Sequence, residues 1–139
     1  MKNKSNRIVK LALGAGATLF AAGCAGHETL SVSSSMPAAE GTVQCGDAAN
    51  GNTSLDLKVK HLANPERLTP PASTYVVWLK SDKDAKPQNI GALTVDEDLA
   101  GRLTTITPLR RFELFVTGEA AGATQEPVGQ PLLWANCNL

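Results

Sequence analysis

Hydrophobic and polar residues alternate with a period of two over much of this chain. In residues 54–62, SLDLKVKHL, one side holds Leu55, Leu57, Val59 and His61, and charged residues occupy the other. Successive side chains of a β-strand point to opposite faces, so this segment predicts a strand with one face in water.

Seven segments carry a strand pattern, and no stretch keeps a helical period. They are residues 41–47 (GTVQCGD), 54–62, 74–80 (TYVVWLK), 89–95 (NIGALTV), 102–107 (RLTTIT), 112–118 (FELFVTG) and 131–137 (PLLWANC). TYVVWLK is apolar on both faces, which predicts a central strand. Asn50-Gly51 predicts a tight turn with positive φ angles. Together these features predict an all-β fold, a seven-stranded antiparallel β-sandwich of immunoglobulin-like type, over residues 41–139.

The first 23 residues have the layout of a secretory signal peptide. Four basic residues lie within the first ten, and the uncharged stretch LALGAGATLFAAG follows at residues 11–23. That stretch is too short for a permanent membrane span, which needs about 20 apolar residues. Residues 1–23 are therefore predicted to be removed.

The small residues Ala21, Ala22 and Gly23 directly precede Cys24. This arrangement resembles the lipobox of bacterial lipoproteins. The resemblance implies that a diacylglycerol is attached to Cys24, that cleavage occurs just before it and that its amino group is acylated. Several acyl chains anchor a protein stably. The alternative is an ordinary signal peptide cut at the same small residues, which would leave Cys24 as a free thiol.

Residues 25–40 are small, polar and aperiodic. Such a composition cannot bury enough apolar surface to offset the entropy of ordering, so it predicts a flexible segment. We therefore expect a lipidated cysteine and tether over residues 24–40. By the lipoprotein resemblance, Ala25 after the cysteine implies delivery to the outer membrane, facing the periplasm.

The charge balance argues against a nucleic-acid partner. Beyond residue 23 the chain carries nine basic and thirteen acidic residues, a net charge of −4. Binding to phosphate backbones depends on clustered lysine and arginine, which this chain lacks. A basic or neutral partner in the envelope fits better.

Two cysteines remain after Cys24. Cys45 and Cys137 form an even pair near the two ends of the domain, in an exported chain whose compartment is oxidising. They are predicted to form a disulfide. The alternative is a pair of separately buried, reduced thiols.

No catalytic or metal-binding set is recognisable. His27 and His61 are the only histidines, too few and too distant for a transition-metal site or a nucleophilic triad. Residues 96–98 (DED) form the densest acidic cluster and predict a solvated turn, with calcium as the alternative. The chain is therefore predicted to be no enzyme and to need no cofactor.

The aromatic and paired basic residues complete the candidate set. Trp78 and Trp134 are predicted to lie in the core. Tyr75 and the pair Arg110-Arg111 are the better candidates for an exposed surface.

Three segments resemble the extracytoplasmic C-terminal domain of anti-sigma-K factors. They are residues 75–79 (YVVWL), 89–95 (NIGALTV) and 115–133 (FVTGEAAGATQEPVGQPLL). The family has a YxVWL strand, a G-x-L strand and an F-x-V-T-x-E-P-x-G-G loop, and the resemblance implies a β-sandwich. Ala120 departs from the family's proline, and neither a sigma-binding domain nor a spanning helix is recognisable. The resemblance therefore implies a sensor-like outer module and no anti-sigma activity.

These observations predict a non-enzymatic, lipid-anchored binding module in the cell envelope. Its expected partners are the membrane, through the lipid on Cys24, and an envelope protein. The alternative is a signalling accessory related to the anti-sigma-K outer domain.

Overall fold

A computed structural model describes residues 26–139 as two antiparallel five-stranded sheets packed face to face. The strands are β1 (Gly26–Thr29), β2 (Ser31–Val32), β3 (Glu40–Asp47), β4 (Thr53–Lys60), β5 (Thr74–Lys80), β6 (Gln88–Ala92), β7 (Thr94–Val95), β8 (Gly101–Thr107), β9 (Arg111–Glu119) and β10 (Leu133–Asn138). Two single-turn 3-10 helices, Ala49–Gly51 and Pro65–Arg67, are the helical elements of these residues. The prediction of an all-β sandwich is confirmed, whereas the predicted count of seven strands is not.

The strand order of the first sheet is β1-β3-β4-β8-β7, and that of the second is β2-β10-β9-β5-β6. The chain changes sheet within two short segments, between β1 and β2 at Leu30 and between β6 and β7 at Leu93. Both residues are buried, at 4% and 5% exposure. The predicted strand 89–95 is therefore two strands, since its middle residue crosses between the sheets.

The flexible tether predicted over residues 24–40 is wrong for its described part. Gly26–Thr29 pairs with Thr42–Cys45 of β3, and Ser31–Val32 pairs with Leu133 and Trp134 of β10. Backbone hydrogen bonds to the two sheet edges order this polar segment, and composition alone does not reveal them. The folded domain thus already includes residues 26–40, ahead of the predicted boundary at residue 41.

The core lies between the inner faces of the two sheets. Leu55, Leu57 and Val59 point inward from β4 and are at most 1% exposed, as the alternation predicted. β5 lies between β9 and β6, and its five middle residues are all buried, which confirms the predicted central strand. Asn50 and Gly51 have φ angles of 60° and 74°, so the predicted turn between β3 and β4 is also confirmed.

Cys45 of β3 and Cys137 of β10 connect the two sheets, with Cα atoms 6.3 Å apart. This geometry confirms the predicted pair. The two residues are 92 positions apart in the sequence, and closing a loop of that length stabilises a fold by about 4 to 5 kcal/mol in the chain-entropy model.

The two ends of the sandwich differ. Gly26 is paired with Cys45, so the first described residue lies at the end that holds the disulfide, which we call the disulfide end. Residues 33–39, 61–73, 96–100 and 120–132 connect strands at the opposite end, which we call the loop end. The two longest connections between the described strands, residues 61–73 and 120–132, therefore lie at the end farthest from Gly26.

Candidate functional site

A groove of about 530 Å³ lies at the loop end. Its lining consists of Ser33, Ser35, Ala63, residues 67–70, Gly118 and residues 129–132. We call it the end groove. Its volume is within the range of small-molecule sites, and loops positioned by a rigid scaffold commonly carry binding functions.

The lining of the end groove combines hydrogen-bonding groups with apolar surface. The polar side chains are Ser33, Ser35, Arg67, Thr69 and Gln130, and the apolar ones include Leu68, Pro70, Pro131 and Leu132. Arg67 is the one charged side chain of this lining. The groove therefore suits a ligand or a loop that offers hydrogen-bond acceptors beside an apolar part.

Glu119 fixes the second half of the loop 120–132. Glu119 is the last residue of β9 and is only 2% exposed. Its Oε1 accepts hydrogen bonds from the backbone N–H groups of Val128 and Gly129 at 3.0 and 3.1 Å. We call this arrangement the Glu119 clamp. Because a buried carboxyl group without partners is costly, these bonds fix both the side chain and the loop.

Two further side chains extend the Glu119 clamp across the outer face of the second sheet. The Thr117 hydroxyl donates to Glu119 Oε1 at 2.6 Å, and the Trp78 indole Nε1 donates to the Thr117 oxygen at 2.9 Å. Trp78 is fully buried here and stacks on Phe115. The indole therefore serves both as apolar cover and as the first donor in the network.

Asn89 of β6 fixes the first half of the same loop. Its Nδ2 donates to the carbonyl oxygens of Gly122 and Thr124 at 2.9 and 2.7 Å, and its Oδ1 accepts from Gly91 N–H. The loop is thus held at both ends by side chains from two strands of one sheet.

Gly118 and Gly129 allow the backbones of β9 and the loop to touch. A Cβ atom on Gly129 would collide with the carbonyl oxygen of Gly118, and one on Gly118 would lie 2.5 Å from Leu68 Cδ1. Both glycines line the end groove. Any larger residue at either position would displace the groove wall.

Tyr75 fixes a second wall of the groove. Its hydroxyl donates to the carbonyl oxygen of Ala63 at 2.6 Å, and Ala63 lines the groove. Tyr75 is fully buried, and this burial raises its pKa to about 12. The prediction that Tyr75 is a surface residue is therefore wrong.

The predicted lipidation residue, the two tryptophans and the paired arginines lie apart from the end groove or outside the described residues. Cys24 lies outside the described residues, so its lipidation stays a prediction. Trp78 is buried as predicted, although on the outer face of its sheet and not between the sheets, and Trp134 is half-buried beside it. Arg110 pairs with Asp47 at 2.7 Å near the disulfide end, and Arg111 is exposed.

The histidine and acidic candidates do not converge on a site. Exposed His61 follows the last residue of β4 with a φ of 55°, so it is not the strand residue that alternation predicted. Asp96 Oδ1 accepts from the N–H groups of Asp98 and Ala100, which makes the acidic cluster a turn. Among residues 26–139, no group of three or more histidine, cysteine or acidic side chains is arranged to hold a metal ion.

Comparison of the chain with protein-family models and with curated proteins found no match. The resemblance to the anti-sigma-K outer domain therefore stays a prediction. Within the described part of the chain, no helix has the length and apolar character needed to cross a membrane.

Replacing Glu119 tests the clamp. Glu119→Ala leaves two backbone donors and the Thr117 hydroxyl without their acceptor, so we expect the free energy of unfolding to fall by roughly 2 to 4 kcal/mol. Glu119→Gln keeps one acceptor oxygen and should lose less. Urea unfolding measures the stability, and hydrogen exchange of the Val128 and Gly129 amides measures the local effect.

The matched control is Glu113→Ala, on an exposed residue of the same strand. It should change stability by less than about 0.5 kcal/mol. Equal losses in the two alanine variants, or unchanged protection of the Val128 and Gly129 amides in Glu119→Ala, would contradict the clamp.

The raised pKa of Tyr75 predicts an alkaline loss of stability. Between its ordinary pKa of 10.0 and its folded pKa of about 12, Tyr75 ionises only in the unfolded chain, so unfolding becomes more favourable as the pH rises. At about pH 11 this group should cost roughly 1 to 1.5 kcal/mol relative to about pH 8. Tyr75→Phe should lack this part of the decline.

Urea unfolding of both proteins at the two pH values measures this difference. Since lysines titrate in the same range, the quantity of interest is the difference between the wild-type and Tyr75→Phe declines. Identical declines would show that the Tyr75 hydroxyl ionises without unfolding.

Proposed function

We propose that this chain is a lipid-anchored envelope protein that acts as a non-enzymatic binding module. The lipid is carried by Cys24, and the end groove is the ligand-binding surface. The module faces the periplasm, on the outer membrane according to the residue that follows the cysteine, and its partner is an envelope protein.

One observation carries the proposal. β1 begins at Gly26, two residues after Cys24, and this first residue lies at the disulfide end of the sandwich. A lipid on Cys24 would hold the disulfide end directly against the bilayer. The end groove would then point away from the membrane, at a height of about 25 Å given by a strand of eight residues.

The groove chemistry supports binding over catalysis. Its polar side chains are hydroxyls, an amide and a guanidinium, and the Glu119 Oε1 atom behind its wall already accepts three hydrogen bonds. These groups recognise and orient a ligand by hydrogen bonds. A general acid or base would need a free titratable group within reach of a ligand.

The strand order supports an immunoglobulin-like topology as part of the proposal. Without β1 and β2, the sheets are β3-β4-β8-β7 and β10-β9-β5-β6. If β3 to β10 are lettered A, B, C, C′, D, E, F and G in chain order, the two sheets read A-B-E-D and G-F-C-C′. This is the strand order of the ABED and GFCC′ sheets of immunoglobulin domains. In such sandwiches, loops at one end commonly form the binding site.

A sensor module related to the anti-sigma-K outer domain is the second candidate. It is favoured by the way the three resembling segments meet. Trp78 of the first segment, Asn89 of the second, and Thr117 and Glu119 of the third hold the loop 120–132 together. A ligand in the end groove would then be reported to a membrane partner.

Replacing Cys24 tests the anchor. The full chain, expressed in a bacterium with a radiolabelled fatty acid, should become labelled, should sediment with membranes and should begin at residue 24. Cys24→Ser should lose the label and accumulate as a precursor. The Cys45→Ser/Cys137→Ser variant should keep the label, and labelling of Cys24→Ser at the wild-type level would refute lipidation at this position.

Site-specific photocrosslinking in cells tests the binding surface. A photoreactive amino acid at Gln130, in the end groove, should form an adduct with one envelope protein, and the same amino acid at exposed Thr104 should not. Adding Arg67→Glu should abolish the adduct, whereas Arg111→Glu should preserve it. An adduct at Thr104 but none at Gln130 would reject the end groove, and a membrane-spanning signalling protein as the partner would favour the sensor candidate.

A further inference from the structure

A second concave surface lies on the side of the sandwich, where the chain leaves one sheet for the other. β1 is paired with β3 only as far as Thr29 and Thr42, because the next residue, Leu30, turns toward the second sheet. One further backbone bond, from Leu30 N–H to the Gly41 carbonyl oxygen at 2.9 Å, continues this contact, and beyond it the start of β3 has no neighbouring strand on this side among the described residues. The gap is a cleft of about 470 Å³, which we call the side cleft.

The floor of the side cleft is apolar. It is lined by Val32 of β2, by Leu30 just after β1, by Ala39 just before β3 and by Gly41 near the start of β3. Gly41 packs tightly on Leu30, since a Cβ atom at this position would lie 3.2 Å from Leu30 Cδ2. The floor is therefore a packed apolar surface, in which Val32 is partly exposed and Leu30, Ala39 and Gly41 are buried.

The rim of the side cleft is positively charged. Lys58 and Lys60 of β4 line it, and both residues are exposed. Lys58 lies 3.4 Å from Asp56, which also binds Arg102, and no described acidic group lies within 4.0 Å of Lys60. Glu40, which lies opposite Lys60 in the pairing of β3 with β4, is the one acidic residue of the lining, so the lining residues carry a net charge of +1 in a domain whose net charge is negative.

We propose that the side cleft binds one alkyl chain of an amphiphile that carries an anionic head, a carboxylate or a phosphate. The alkyl chain lies on the apolar floor, and the head is held by Lys60 and Lys58. The cationic rim complements the anionic head, and the apolar floor complements the alkyl chain. In mostly apolar binding sites, a few polar groups usually fix the orientation of the ligand in this way. The side cleft shares no lining residue with the end groove, so the two proposals can fail separately.

The test uses the full chain in phosphatidylcholine nanodiscs. The probe is dodecanoic acid with a photoreactive diazirine on its alkyl chain, and peptide mass spectrometry locates the adducts. We expect labelling within residues 29–42 and competition by unlabelled dodecanoic acid. Octanoic acid should compete more weakly, by roughly tenfold for each two methylenes removed.

The head group is tested by charge reversal. Lys58→Glu/Lys60→Glu should reduce labelling roughly tenfold because two attractive contacts become repulsive. Lys83→Glu, an exposed lysine in the loop between β5 and β6, should leave labelling unchanged. Competition by dodecyl phosphate against dodecanoic acid then distinguishes a phosphate head from a carboxylate head.

Three results would overturn the proposal. They are an absence of adducts within residues 29–42, labelling that is unchanged in Lys58→Glu/Lys60→Glu, and equal competition by cationic dodecyltrimethylammonium. Because both lysines are exposed, their replacement should leave the fold intact, and unchanged hydrogen exchange of the core strands verifies this.

Discussion

The buried carboxyl group of Glu119 is the interaction on which the loop end of this protein depends. Glu119 is only 2% exposed, and a carboxyl group buried to this degree is tolerated only where hydrogen-bond donors surround it. Here the donors are the Thr117 hydroxyl and two backbone amides of the loop 120–132. Trp78 completes the network from the neighbouring strand. One short chain of hydrogen bonds therefore joins the sheet to the wall of the end groove, and the groove keeps its shape because the sheet is rigid.

The second constraint is the early start of the fold. The two short strands β1 and β2 extend one sheet each, and the pairing of Gly26 with Cys45 places the first described residue at the disulfide end. This removes most of the freedom that a tether would have given. In the proposed lipid-anchored state, orientation as well as proximity would thus be built into the chain, with the end groove facing outward and the side cleft facing sideways.

Much of the fold could be predicted from the sequence, because alternation and turn residues are local signals. The alternation within SLDLKVKHL, the central strand TYVVWLK and the Asn50-Gly51 turn all depend on neighbouring residues, and the structure confirms the first as far as Lys60 and the other two throughout. The pairing of residues 26–32 could not be predicted in this way, since polar edge strands are ordered by backbone bonds to distant strands.

The candidate site was less accessible to prediction for the same reason. The role of Glu119 depends on bonds to residues 128 and 129, across a loop whose composition resembles any surface loop. Tyr75 and Trp78 lie three positions apart in β5, so the sequence predicts that they lie on opposite faces of the sheet. It does not predict which of the two faces the other sheet. The segments of the anti-sigma-K resemblance were the one available signal, because they contain Trp78, Asn89, Thr117 and Glu119.

The most direct test of the Glu119 clamp is a measurement of scalar coupling across its hydrogen bonds. In the isotopically labelled protein, the amide nitrogens of Val128 and Gly129 should couple to the side-chain carboxyl carbon of Glu119, and both amide protons should resonate far downfield. Amide shifts near random-coil values, with no coupling to this carbon, would mean that the loop is not held by Glu119 and that the end groove lacks a fixed wall.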